Sequence, residues 1–282
     1  GKRSVVLNLR TDDGKAALRA LIADADVFIH SMRAKAITKL GFGYDEVAAI
    51  NPEIVYTNCY GYGRRGPERD RPAYDDTIQA ECGLPAVQKE LTGEANYVAS
   101  IVADKVAGLT AVYATTMALF HRERTGEGQE VEVAMFETMA SFMLVEHANG
   151  AMFDPPLGPA MYHRTIAPNR KPYRTKDGYI SALIYNDKHW AGFINAVQPE
   201  WNDERFATLE ARAAEIDTIY SLVARTMTER TTDEWLKLFV DLEIPAAPLN
   251  TPEDLFGNEH LNAVGFFETV QTPHGAVRMP GV

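Results

Sequence analysis

Asp104 stands in the segment SIVADKVAGL, just inside the start of the most apolar helical stretch of the chain, with Ile101, Val102 and Ala103 before it. A carboxylate in that place is a candidate for catalysis. It is equally a first-turn residue that caps free N–H groups or complements the positive end of the helix, and position alone leaves both readings open. A second pattern, GYGRRG, is a literal G-x-G-x-x-G: Gly61, Gly63 and Gly66 follow the apolar run Ile54-Val55-Tyr56. Dinucleotide binding there requires a helix to open directly after the glycines, so that its free N–H groups hold the pyrophosphate. The residues that follow are PERDRP (67–72), two prolines around charged side chains with no apolar periodicity. The pattern therefore reads as a glycine-rich turn by which the chain leaves a buried strand, with Arg64 and Arg65 on its surface. Other chemistries lack their residues. The seven histidines are scattered, no two at helical i, i+3 or i+4 spacing, and neither G-x-S-x-G nor G-x-x-x-x-G-K-[ST] occurs.

The elements that must position these residues alternate in type. Ser4–Leu9 has the pattern of a short strand, Thr11-Asp12-Asp13 caps a helix continuing through Ala16, Leu18, Leu21 and Ile22, and Asp26–Ile29 is a second strand. A helical pair follows, the first piece stopping at Gly41 and the second, Tyr44–Ile50, broken by Asn51-Pro52 before a strand over Ile54–Asn58. Such alternation predicts right-handed crossovers and an open parallel sheet covered by helices, a Rossmann-like α/β domain. Beyond residue 73 the spacing predicts a short helix over Tyr74–Gly83 and an aperiodic loop over Leu84–Ser100. A long helix then starts near Ala103, with Val106, Leu109, Val112, Tyr113, Met117 and Phe120 at helical spacing. Arg122, Arg124 and Gly126 suit its C-terminal end. A strand over Gln129–Ala134 leads to a helix over Phe136–His147. The Pro-rich stretch 151–172 reads as a linker, so that residues 1–150 form a large domain and 173–282 a smaller α+β one. The small domain is expected to hold a hairpin over Tyr173–Ile180 with an Asp177-Gly178 turn, helices near 187–197, 215–228 and 232–242, a strand over Ile244–Leu249, and a helix opening at Thr251-Pro252.

Composition excludes several classes. A chain of 282 residues can bury a sizeable core, and no stretch approaches the run of about 20 apolar residues needed to span a bilayer. A net charge of −11 argues against a general nucleic-acid binder, which needs a basic surface. With two cysteines, Cys59 and Cys82, and no C-x-x-C, neither a disulfide framework nor a zinc knuckle is available, and the cytoplasm is the expected compartment.

Three segments, PAYDDTIQAECG (72–83), ASIVADKVAGLTAVYATTMALFHRERTGEGQEVEVAMFETM (99–139) and PYRTKDGYI (172–180), resemble the class III CoA-transferases, the family of formyl-CoA transferase and carnitine CoA-transferase. GKRSVVLNL, LGFGYDEVAAINPEIVYTNCYGYGRRGP and IPAAPLNTPEDLFGNEHLNAVGFFE extend the likeness over nearly the whole chain. The resemblance implies transfer of CoA between an acyl-CoA thioester and a free carboxylic acid through an aspartyl intermediate, and Asp104 matches the aspartate. It implies that CoA enters as part of the substrate, with no permanently bound cofactor or metal. Gly61, Gly63 and Gly66 would line the CoA wall, Lys39 would lie near its nucleotide, Tyr74 along its pantetheine and thioester end, and Arg33 in a CoA-facing turn. Arg33 is followed by Ala34 and Lys35, where relatives usually carry proline and glycine. As solvated surface charges, Arg33 and Lys39 need no ligand.

The resemblance also implies an interlaced homodimer with no nucleic-acid or membrane partner. Relatives usually begin with a further strand–helix unit and end with a segment returning to the large domain, so the chain is expected to be truncated at both ends. Two rival readings follow. An α-methylacyl-CoA racemase needs acid/base groups on both faces of the reacting carbon, and its relatives carry histidine where this chain has Tyr74. Tyrosine, with a reference pKa of about 10, is a poor proton acceptor at neutral pH. The other rival is a non-catalytic CoA-binding fragment.

Overall fold

Thr11 opens the first helix by accepting the N–H of Gly14 on its hydroxyl (3.2 Å), and Asp12 and Asp13 sit at the positive end of the helix that follows. In the computed structural model, which describes residues 2–281, two compact units divide at residues 166 and 167. The first runs α1 (Asp12–Ala23), β1 (Val27–His30), α2 (Ala34–Leu40), α3 (Tyr44–Ile50), β2 (Val55–Tyr60), α4 (Asp75–Glu81), α5 (Leu84–Thr92), α6 (Val102–Thr125), β3 (Gln129–Ala134) and α7 (Met135–His147). Its three strands pair in parallel in the order β1-β2-β3, with Val27 opposite Val55 and Val55 opposite Gln129. The central strand is buried, and its polar residues are paired inside. Thr57 and Thr115 share a hydrogen bond (2.8 Å), while Asn58 donates to Glu130 (2.8 Å) and accepts from the Tyr60 hydroxyl (2.8 Å). Ile22, Ile37, Phe42, Val47, Ile54 and Tyr56 form the core on one side. Tyr62, Ile78, Ala103 and Met139 form the core that joins α4, α6 and α7.

Helix α6 lies on the sheet by its small residues. Ala103, Ala107, Ala111 and Ala118 are buried, a row of small side chains spaced one or two turns apart that lets the helix approach its neighbours closely. The larger apolar side chains of its periodic pattern, Leu109, Val112, Tyr113, Met117 and Phe120, face outward and are each more than half exposed. Gly126, in the left-handed region (φ 75°), ends the helix as its sequence suggests.

Two segments differ from expectation. Residues 4–9 form no strand, and Val5 and Val6 are exposed, because no neighbouring strand supplies the ladder that an isolated extended segment needs. Residues 84–92, expected as loop, are α5, with Pro85 in its first turn and Gly83 and Gly93 at its ends in the left-handed region. None of its side chains is fully buried, but Leu84, Val87, Gln88 and Leu91, at helical spacing, are half-buried along one face.

The second unit contains β4 (Tyr173–Arg174), β5 (Tyr179–Ala182), α8 (Asp187–Val197), α9 (Leu209–Ala214), α10 (Ile216–Met227), α11 (Thr232–Asp241), β6 (Ala246–Pro248), α12 (Asp254–Gly257), α13 (Glu259–Ala263), β7 (Phe267–Thr272) and β8 (Gly275–Pro280). Strands β4-β5-β6 form an antiparallel sheet, and the β4–β5 hairpin turns through Asp177-Gly178. Trp190, Phe193, Phe206, Trp235 and Phe239 fill the core of this unit. Helix α9 and the terminal β7–β8 hairpin carry no sequence expectation; every residue of β8 is exposed, so alternation of burial is absent there.

Candidate active site

The glycine turn leaves the end of β2 and is held by β3 and the start of α7. The carbonyl of Gly61 accepts the N–H of Phe136 (3.0 Å), the N–H of Gly63 donates to Glu137 (2.9 Å), and that of Arg64 to Glu132 (3.0 Å). The Arg64 guanidinium bridges Glu130 (2.7 Å) and Glu132. The N–H groups that a dinucleotide fingerprint would aim at phosphate are thus given to carboxylates. No helix opens until Asp75, and the reading as a turn rather than a dinucleotide fingerprint follows from this geometry. Gly61 is glycine for space: a Cβ there would overlap the methyl of Ala73. Gly66 is under no such pressure, the nearest atom to an added Cβ being the Gly63 carbonyl oxygen at 3.5 Å.

The close approach at Gly61 places the segment Ala73-Tyr74-Asp75. Tyr74 occupies the cap position of α4, with its N–H on the Thr77 hydroxyl (3.0 Å) and its side chain 79% exposed. Asp75, next along, is buried. One of its oxygens accepts the backbone N–H of Asp104 (3.0 Å) and the other accepts from the Gln79 amide (2.6 Å). Gln79, also buried, donates to the Ser100 carbonyl (3.1 Å) and accepts the N–H of Val98 (3.0 Å), which fixes the strap leading into α6.

Asp104 is therefore not the cap of its helix. Ile101 holds the cap position without a side-chain bond, and the third N–H of the helix finds its acceptor on α4. Among the described residues the Asp104 carboxylate makes no hydrogen bond or ion pair, and it is exposed. Burial of its surroundings, and next the charge of Asp75, raise its proton affinity above that of an ordinary aspartate. Both effects act against the positive end of the helix, which favours the ionised form. Lys105 does not neutralise it, since its ammonium is turned to the Ser100 hydroxyl (2.8 Å).

The structure thus gathers Gly61, Tyr74 and Asp104 around α4. Arg33 caps α2, exposed, within the electrostatic reach of Asp70 in the loop after the glycine turn, and Lys35 ties α2 to that loop through Asp70 (2.6 Å). Lys39, in the last turn of α2, is exposed and makes no contact with the others among the described residues. Gly63 and Gly66 border an open groove of about 850 Å³ with Arg65, Leu109, Tyr113 and Phe142. Asp75 and Gln79 were not singled out in the sequence, although their i, i+4 spacing in YDDTIQ puts them on one helix face.

The model of CoA-transferase family III matches residues 1–282, and the chain belongs to that family. It is 29% identical to a succinate–glutarate CoA-transferase of Agrobacterium fabrum over 100% of this chain and 71% of the relative. It is 32% identical to an acyl-CoA transferase of Fusarium pseudograminearum over 91% of this chain and 57% of the relative. The crystal structure of Rv3272 from M. tuberculosis superposes with a TM-score of 0.82 at 25% identity, covering 100% of this chain and 74% of that one. Among the described residues no helix is long and apolar enough to cross a membrane, and no cluster of three or more His, Cys, Asp or Glu could hold a metal ion.

Proposed function

We propose that the chain moves CoA between an acyl-CoA thioester and a free carboxylic acid with Asp104 as the nucleophile. The observation that carries this reading is the state of that side chain: an exposed, unpaired carboxylate of raised basicity on a helix turn whose main chain is fixed. One Asp104 oxygen attacks the thioester carbon, the C–S bond breaks, and CoA leaves as its thiolate, giving a mixed anhydride. The thiolate then attacks the Asp104 carbonyl carbon, releasing the donor acid as carboxylate and leaving an aspartyl-CoA thioester. The acceptor carboxylate attacks that thioester to form a second anhydride, and the thiolate returns to the acceptor's acyl carbon, regenerating Asp104. Each step exchanges one bond for another with no net proton, so no resident cofactor is needed. CoA comes and goes as substrate, and the cytoplasm supplies it.

The groove beside Gly63 and Gly66 supports a place for CoA along the glycine turn, with Arg65 at hand for phosphate and apolar side chains for the pantetheine arm. Arg33 and Lys39 are the outlying cations of this reading, and Tyr74 the residue near the thioester. The test is a panel of acyl-CoA donors against carboxylic acids read by mass spectrometry. It includes succinyl-CoA with glutarate, the acids in the name of the Agrobacterium relative. New acyl-CoA formed mole for mole with donor lost is expected, whereas CoA release by hydrolysis alone, or binding without exchange, would count against it. The outward apolar face of α6 supports the interlaced homodimer, since a patch carrying Leu109, Val112, Met117 and Phe120 suits burial against a second copy. Sedimentation velocity at micromolar concentration should give a dimer; a monomer throughout would remove this part of the proposal.

A further inference from the structure

We infer that Asp75, held by Gln79, is the positioning residue of this active site, gripping the main chain of Asp104 and so setting where the nucleophilic carboxylate stands. The inference rests on the reading of Asp104 as nucleophile. Helix α6 begins without a side-chain cap of its own, so its first N–H groups lack intrahelical acceptors. The Asp104 N–H is instead satisfied at 3.0 Å from another helix, by a carboxylate whose second oxygen is held at 2.6 Å. Gln79 extends the grip to the strap before α6, donating to the Ser100 carbonyl and accepting from the Val98 N–H. The preceding residue, Ala103, is fully buried with Ile78 of α4 and Met139 of α7. The turn is thus clamped from two directions while its carboxylate stays free, the arrangement a nucleophile needs to meet an acyl carbon at a defined distance.

The residue type carries the second half of the argument. Asn would satisfy the Asp104 N–H but turn its NH2 toward that of Gln79, so accepting from both donors takes a carboxylate, at the cost of a charge that repels Asp104. A buried carboxylate with only neutral partners, the Gln79 amide and a backbone N–H, is a costly choice for a cap, since among the described residues no cation pairs with it. What its charge adds is basicity in Asp104. Among the neighbours of Asp104, Asp75 on α4 is the charged group whose field reaches it, and Lys105 on its own helix is engaged with Ser100. A more basic carboxylate is a better nucleophile toward a thioester.

The test begins on the unmodified protein. Hydrogen exchange resolved to the Asp104 amide should be slowed at least about a hundredfold relative to an open chain, because its acceptor is buried. Exchange at the open-chain rate would overturn the inference without any variant. Asp75→Asn keeps an oxygen for that N–H and removes the charge. It should lower kcat by about tenfold or more with the acyl-CoA KM within about twofold. The acidic limb of its kcat/KM profile should move to lower pH, since Asp104 loses a repelling neighbour. A folded Asp75→Asn enzyme with unchanged kcat and an unchanged acidic limb would reduce Asp75 to a structural cap, whatever its melting temperature. Hydroxylamine trapping on the unmodified enzyme separates the two claims: absence of hydroxamate from Asp104 refutes the nucleophile, whereas hydroxamate at Asp104 with an indifferent Asp75→Asn refutes the positioning alone.

Discussion

Asp104→Asn should reduce CoA transfer by a factor on the order of 10³ or more while leaving CoA binding nearly unchanged. Asparagine keeps the size of the side chain and leaves the backbone N–H on Asp75, so the helix turn is undisturbed and what is lost is the anionic oxygen. In the unmodified enzyme, hydroxylamine added with acyl-CoA should intercept the anhydride and the aspartyl thioester and leave a hydroxamate on Asp104, found by peptide mass. The same substitution should also act on stability, in the opposite direction to activity. Asp104 binds its proton more tightly in the folded chain than in the unfolded one. Stability therefore falls as pH rises from the ordinary aspartate range through the raised folded value, and the ionised group costs stability at neutral pH. Removing it should raise the melting temperature slightly at neutral pH, and the gain should vanish on acidification. An active Asp104→Asn enzyme, or a hydroxamate on Asp75 or Asp76 instead, would take Asp104 out of the mechanism.

Gly61→Ala should cost about 1–3 kcal/mol of stability and reduce transfer roughly tenfold. The added methyl meets the Ala73 methyl well inside contact distance, and neither backbone can yield freely. Gly61 is bonded to Phe136, and the Ala73 segment leads into the Asp75 grip on α6. The displacement therefore travels from the glycine turn to the carboxylate that positions Asp104. Ala73→Gly should make room, so the double variant Gly61→Ala with Ala73→Gly is expected to recover most of the loss, a non-additivity that a denaturant titration and a kcat/KM measurement can both read. Gly66→Ala serves as the control for stability and should leave the denaturant midpoint nearly unchanged, because an added Cβ there meets ordinary van der Waals distances. If Gly61→Ala matches the unmodified protein, or the double variant is no better than the single, the close approach does not matter to the site.

Much of this architecture was legible residue by residue. Thr11 and Gly126 mark the ends of their helices because a hydroxyl acceptor and a left-handed glycine act within one turn. Asp177-Gly178 marks the β4–β5 hairpin for the same local reason. The PERDRP stretch after the glycines, two prolines around charges with no apolar period, argues by itself against a phosphate-binding helix. Segments whose state depends on distant partners were not legible. Ser4–Leu9 has the composition of a strand but, among the described residues, no strand beside it, and α5 is a helix whose apolar face is only half-buried.

The sequence by itself determined the alternation of strands and helices that yields a parallel sheet, the place of Asp104 in the first turn of a long helix, and the family pattern around it, because each is written in neighbours a few residues apart. Tertiary structure alone decided which side of α6 turns inward. Its pattern offers a row of alanines and a row of large apolar groups, and packing against the strands selects the small row, which lets two backbones come close. It alone decided that the Asp104 N–H is held by Asp75, 29 positions earlier, and that burial with the charge of Asp75 raises the proton affinity of Asp104 above that of an ordinary aspartate. Hydrogen bonds and the fields of buried charges act over a few ångströms of space, and sequence separation carries no measure of that distance until the chain has folded.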